Sequence, residues 1–136
     1  MDLLERARAL AATAVLGEVA APTLIALAER AGVRDLEAGA TVTTRRPDGA
    51  VVVVVAHGAL TADGARNGPG AVLGAAGALD GAAPAVTARA EEPSVVLELG
   101  QDDFLDVLAE HPVAAQALAR MLATALREAR QVAGAR

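Results

Sequence analysis

The residues predict an α+β chain: an antiparallel β-roll or barrel with helices before and after it. Three observations carry this. Apolar residues recur at spacings of three and four in the first and last stretches. Runs rich in β-branched residues and leucine, bounded by glycine and proline, fill the middle. Turn signals separate those runs at short intervals.

In chain order, Leu3, Leu4, Ala7, Leu10, Ala11 and Ala14 form one apolar face of an opening helix. Gly17 interrupts it. Pro22 suits the first turn of a second short helix carrying Leu24, Ile25, Leu27 and Ala28, with Gly32 as its stop, so helices are expected over residues 1–32. The roll is expected over residues 33–100, with strands around Leu36, Thr41–Thr44, Val51–Val55 and Val95–Leu99. Pro47, Asp48 and Gly49 signal a hairpin turn between two of them, and Asp63 with Gly64 repeats the signal after Leu60. The valines at 51–55 show no alternation, which predicts a strand covered on both faces.

The stretch Asn67–Ala90 is rich in glycine and alanine, a linker by composition, yet its glycines are spaced more regularly than a linker needs. Few side chains anchor Gly70–Ala85, so it is expected to be the most mobile part of the roll, exchanging its amides faster than Val51–Val55. Helices return over 101–132. Asp102 or Asp103 is expected to cap a helix bearing Phe104, Leu105, Val107 and Leu108, and Pro112 ends it or starts the next, which runs from about Val113 to Gln131. On that last helix Leu118, Leu122, Ala125, Ala129 and Val132 make a seam of about two heptads. Two readings stay open for it: packing on its own domain, or self-association through Leu118, Leu122, Ala125 and Ala129.

At 136 residues the chain is expected to be one domain, 1–136. Its 12 basic and 17 acidic residues leave a net charge of −5, the wrong sign for direct nucleic-acid binding. Phe104 is the only aromatic residue, which removes base stacking as a binding device. The absence of cysteine excludes disulfides and thiolate chemistry. Asp2, Glu5, Arg6 and Arg8 break up any signal-peptide core, and the longest bulky apolar run, Ala50–Ala56, is far short of the roughly 20 residues of a membrane span. A soluble, cytoplasmic protein is expected.

No catalytic residue, metal or cofactor is predicted. His57 and His111 stand apart from other metal-ligand types and read as a strand end and a helix end. The single serine, Ser94, lacks the glycine framing of an exposed nucleophile. Glu91, Glu92, Asp102 and Asp103 read as a charged turn and a helix start rather than an acid–base pair. Gly68-Pro-Gly70 lacks the lysine and hydroxyl of a triphosphate-binding loop.

The ordered set of local motifs resembles the cyclic-nucleotide-binding domain. Leu24–Ala28 looks like that family's early helix, Glu37–Val42 resembles the approach to its first strand, and Gly68-Pro-Gly70 with Gly74 resembles the glycines before its phosphate cassette. Leu79-Asp-Gly81 looks like the cassette's end, and Asp102–Leu108 resembles the helix after the last strand. The resemblance spans roughly residues 14–130 and implies a jelly roll (double-stranded β-helix) with N-terminal helices and a C-terminal helical pair.

It also implies where a ligand would sit, and there the sequence departs from the family. The family's glutamate, which accepts from the ribose hydroxyl, aligns with Ala75 after Gly74, and its phosphate-binding arginine and hydroxyl align with Pro84 and Ala85. Losing these charge-assisted contacts costs several kcal/mol by order of magnitude, roughly a hundredfold or more in affinity. The candidate pocket comprises Gly74, Ala75, Ala76, Pro84, Ala85, Thr87 and Arg89. Two routes to a weak site stay open: Arg89, on one strand face with Thr87, and backbone amides near Gly74. The expected role is a non-enzymatic regulatory or structural module acting through a protein partner or self-association. The alternative is a sensor of a cyclic nucleotide or other small anion through a non-standard pocket. The family's transcription regulators carry a DNA-binding helix-turn-helix after the last helix, so transcription control would need a partner here.

Overall fold

The opening stripe folds as α1 (Leu3–Ala11) in the computed structural model, which describes residues 1–134. Asp2 caps it, its side chain accepting from the Glu5 amide at 2.8 Å. Ala7 and Leu10 are buried, whereas Leu4 faces solvent. The link to α2 (Ala21–Arg30) is itself core, with Val15, Leu16 and Val19 buried. Buried Thr13 is satisfied there: its hydroxyl donates to the Leu10 carbonyl at 2.8 Å and accepts from the Leu16 amide at 3.1 Å. Pro22 lies in the first turn of α2, as expected. The helix stops at Arg30, and Gly32 already opens the first strand instead of ending the helix.

Nine strands follow: β1 (Gly32–Leu36), β2 (Thr41–Thr43), β3 (Arg45–Arg46), β4 (Gly49–His57), β5 (Leu60–Ala62), β6 (Ala65–Asn67), β7 (Val72–Leu73), β8 (Thr87–Ala90) and β9 (Ser94–Gly100). A short helix, α3 (Ala75–Leu79), separates β7 from β8. Every pairing is antiparallel. One sheet runs β1-β9-β4-β3 with β7 also on β4, and the other runs β2-β8-β5-β6. This is the β-roll with flanking helices that the sequence predicts. Both turn signals form hairpins: β3 returns as β4 at Gly49, and β5 returns as β6 through Asp63 and Gly64, both at positive φ as a tight hairpin requires.

The valine run sits at the centre of β4, and all five residues are 7 % exposed or less. Val51, Val53 and Val55 point between the sheets with Val42, Leu60, Ala88, Ala90 and Val96. Val52 and Val54 point the other way, with Leu97 and Leu99 of β9, into a layer of helical side chains that includes Leu10, Leu16, Leu27, Phe104 and Leu118. One strand therefore feeds two cores, and polar alternation would break one of them.

Helix α4 (Gln101–Glu110) starts from Gly100 with no side-chain cap. Asp102 and Asp103 therefore lie in the first turn rather than at the cap, where their charge still complements the helix dipole. Pro112 opens α5 (Pro112–Gly134). Of the expected seam, Leu118 is buried and Leu122 partly buried against the domain, while Ala125, Ala129 and Val132 are exposed. The seam divides because α5 leaves the body: from Ala123 onward every described residue is exposed, roughly 18 Å of helix at about 1.5 Å per residue.

Val53→Ala and Val54→Ala should each lower unfolding free energy in urea by roughly 2–3 kcal/mol, since each leaves a cavity in a different core. Val33→Ala, at a position 40 % exposed, should change it by less than about 0.5 kcal/mol.

Candidate functional site

Between β7 and β8 the chain runs from Gly74 to Val86, and only Leu79, Asp80, Pro84 and Val86 carry side chains larger than a methyl. Packing holds its helix, through buried Ala75 and Ala78, and the loop after it is held by polar groups from other elements. Gly74 precedes α3 with φ of 85°. A Cβ there would stand 2.7 Å from the Thr44 side chain and 2.8 Å from the Val51 carbonyl oxygen, so conformation and space both demand glycine.

Thr44, which links β2 to β3, is buried and fully engaged. Its Oγ1 accepts from the Val86 amide at 2.9 Å, its own amide donates to the Val86 carbonyl at 3.0 Å, and its carbonyl accepts from the Val51 amide at 2.8 Å. One residue thus ties the Val86 end of the segment to β4, and its side chain closes the space beside Gly74 at the other end. Arg45 reaches over the loop after α3, one guanidinium nitrogen donating to the carbonyls of Gly81 and Ala83 at 3.0 Å each. Gln101 donates from α4 to the Ala78 carbonyl at 2.9 Å. Inside the loop the Asp80 carboxylate accepts from the Ala82 amide at 2.9 Å.

The residues proposed from sequence fall into separate groups. Gly74, Ala75 and Ala76 open α3, with Ala75 turned into the helix-side core and Ala76 exposed. Pro84 and Ala85 are exposed on the loop before β8. Thr87 and Arg89 share a face as expected, and it is the outer face: both are exposed while Ala88 and Ala90 alternate into the roll. Arg89 lies across Gly39, its guanidinium 3.4 Å from where a Cβ of residue 39 would be, and pairs in register with Thr41 and Thr61. The roll interior nearest the cassette is aliphatic, formed by Val42, Val53, Leu73, Val86 and Ala88.

Thr44, Arg45 and Gln101 carry no signal in the sequence as single residues. The adjacent pair Arg45-Arg46 ahead of a hairpin turn is the nearest to one, because neighbours on a strand point to opposite faces. Arg46 pairs with Glu98, whose side chain is only 9 % exposed and whose carboxylate also forms an ion pair with Arg34 Nε at 3.3 Å. Arg46, Glu98 and Gln101 border a concavity of about 450 Å³ that also takes in Arg30, Asp48 and Asp103. There Arg30 and Asp103 pair at 2.7 Å, and that hydrogen bond holds the Arg30 guanidinium above its usual pKa. Among the described residues, no three His, Asp or Glu side chains converge on a metal position.

Comparison with known proteins gives the family. The model of the cyclic nucleotide-binding domain matches residues 33–111, and the chain belongs to that family, a regulatory rather than catalytic one. No curated protein matches the sequence. Among solved structures, the Thermus thermophilus catabolite activator protein is 25 % identical with a TM-score of 0.73, over 90 % of this chain and 62 % of that one. The sensor domain of the transcriptional regulator DNR from Pseudomonas aeruginosa is 20 % identical with a TM-score of 0.71, over 91 % and 90 %. The regulatory domain of Toxoplasma gondii PKA, crystallised with cAMP, is 22 % identical with a TM-score of 0.63, over 77 % and 44 %. This chain thus spans less than two thirds of the Thermus and Toxoplasma chains.

Gly74→Ala should destabilise the fold by about 3 kcal/mol in urea unfolding, the sum of a left-handed backbone and a clash with Thr44 and the Val51 carbonyl. Gly81→Ala, which meets nothing within 4 Å, should stay within about 0.5 kcal/mol of wild type.

Proposed function

We propose that residues 1–136 act as one non-enzymatic regulatory module: a cyclic-nucleotide-binding scaffold without a strong phosphate handle, working in the cytoplasm through contacts with a protein partner or a second copy. The observation that carries this reading is the chemistry of the cassette. Ala75, aligned with the family's ribose-binding acid, is buried in the helix core, and Pro84 with Ala85 stands where the arginine and hydroxyl are expected. Neither pair can make a charge-assisted hydrogen bond, a contact worth roughly 1.5–3 kcal/mol each. Arg89, the one arginine on β8, extends from the outer face of the roll, away from the aliphatic interior.

The free end of α5 supports the contact half of the reading. Ala125, Leu126, Ala129 and Val132 are exposed on a helix that continues past the body of the domain, and helices with such a face stabilise by pairing. Among the described residues no helix is long and apolar enough to cross a membrane, and the acidic net charge disfavours nucleic acid.

Titration calorimetry with cyclic AMP and cyclic GMP tests the ligand half: no saturable heat is expected up to about millimolar ligand, and the triple variant Ala75→Glu, Pro84→Arg, Ala85→Ser should bind at least tenfold more tightly than wild type. Micromolar binding by wild type that Arg89→Ala abolishes would instead establish a sensor with a rebuilt pocket. Sedimentation tests the contact half. An assembly of wild type that Ala125→Glu with Ala129→Glu converts to monomer is expected for a second copy, and an unchanged monomer in both would leave a different protein as the partner.

A further inference from the structure

We infer that Arg45 is a built-in latch that holds the cassette closed in the absence of any ligand. The inference deepens the proposed function, resting on it only in that the cassette receives no phosphate. Three independent features of the structure converge on it. Within the segment Ala75 and Ala78 of α3 are buried, whereas no residue of the loop Asp80–Ala85 is, so that loop takes its order from groups elsewhere. The loop after α3 presents the carbonyls of Gly81 and Ala83 on one side, and Arg45 spans both with one nitrogen at 3.0 Å. Among the described residues no carboxylate pairs with Arg45, whereas Arg46 beside it is committed to Glu98.

An arginine whose hydrogen bonds go to backbone carbonyls supplies positive charge to the negative ends of peptide dipoles. The side chain passes Gly77, where a Cβ would stand 3.8 Å from the guanidinium, an ordinary contact, so α3 lies alongside the crossing without obstructing it. Because Arg45 follows Thr44 in sequence, one dipeptide holds the Val86 end of the segment and the loop before it together. A cation brought from β3 thus replaces inward the order that a bound anion would bring from outside.

The test is amide hydrogen exchange on the ligand-free protein with Arg45→Met, which keeps the apolar stem and removes the donors. The reporting amides are Asp80, Ala82 and Ala83, which donate within the loop at 2.8, 2.9 and 3.0 Å. Their exchange should rise about tenfold, Arg45→Lys should lie between the two, and the β4 valines should stay as protected as in wild type. Arg46→Met, which removes the same charge from the same hairpin, should leave the loop amides unchanged. Loop exchange in Arg45→Met equal to wild type, or raised equally in Arg46→Met, would overturn the latch. If β4 also loosens in Arg45→Met, the comparison with Arg46→Met decides by the same criterion. Cyclic-nucleotide binding by wild type would overturn the proposed function and leave this ligand-free readout untouched.

Discussion

The rest of the structure depends on the burial of β4 on both faces. Its alternate valines enter the space between the sheets and the layer beneath the helices, so neither core can rearrange without displacing the strand that serves the other. β9 repeats the device with Val96 on one side and Leu97 and Leu99 on the other. Central pairing of the two strands, Val53 opposite Glu98 and Val54 opposite Leu97, then sets the register from which β1, β3 and β7 extend. With one aromatic residue in the chain, the cores are built from valine, leucine and alanine, whose stiff β-branched members favour a pleated strand.

That rigid frame explains how a glycine- and alanine-rich segment keeps a defined course. Where a ligand-binding member of the family uses the cassette's own charged residues, this chain leaves the cassette bare and places the polar groups around it: Thr44 beneath, Arg45 across, Gln101 from the following helix. Each of these groups ends on a backbone atom, so none depends on what side chains the segment carries. The order of the scaffold here therefore does not rest on the positions at which the proposed function places the missing ligand contacts.

Much of this was legible in the sequence because periodicity and turn chemistry are local. The opening helix and the doubly buried valines follow from spacing, both hairpin turns follow from their turn residues, and Pro112 marks a helix boundary without saying on which side, while Ala14 of the expected stripe falls beyond the end of α1. The start of α4 was less legible, since aspartates suit a cap and a first turn equally and only Gly100 decides between them. The face of β8 that carries Thr87 and Arg89 was legible, but whether it looked in or out was not: a period of two names the pair and leaves the direction to Ala88 and Ala90, which pack inside. The seam on α5 hid a boundary between packed and free helix, because its heptad spacing is the same on both sides of Leu122. Arg45 was invisible for a further reason. Its partners are main-chain carbonyls distant in sequence, and a backbone acceptor leaves no residue-type signature.

The central claim, that this cassette is ordered by the protein instead of by a phosphate, is tested most directly by amide exchange of wild type over Gly74–Val86 with and without about millimolar cyclic AMP. The account predicts that Ala78, Asp80 and Ala83 are protected before ligand is added and stay the same after it. Amides that exchange freely alone and become protected only with cyclic AMP would contradict it, and would mean that the nucleotide still organises this domain.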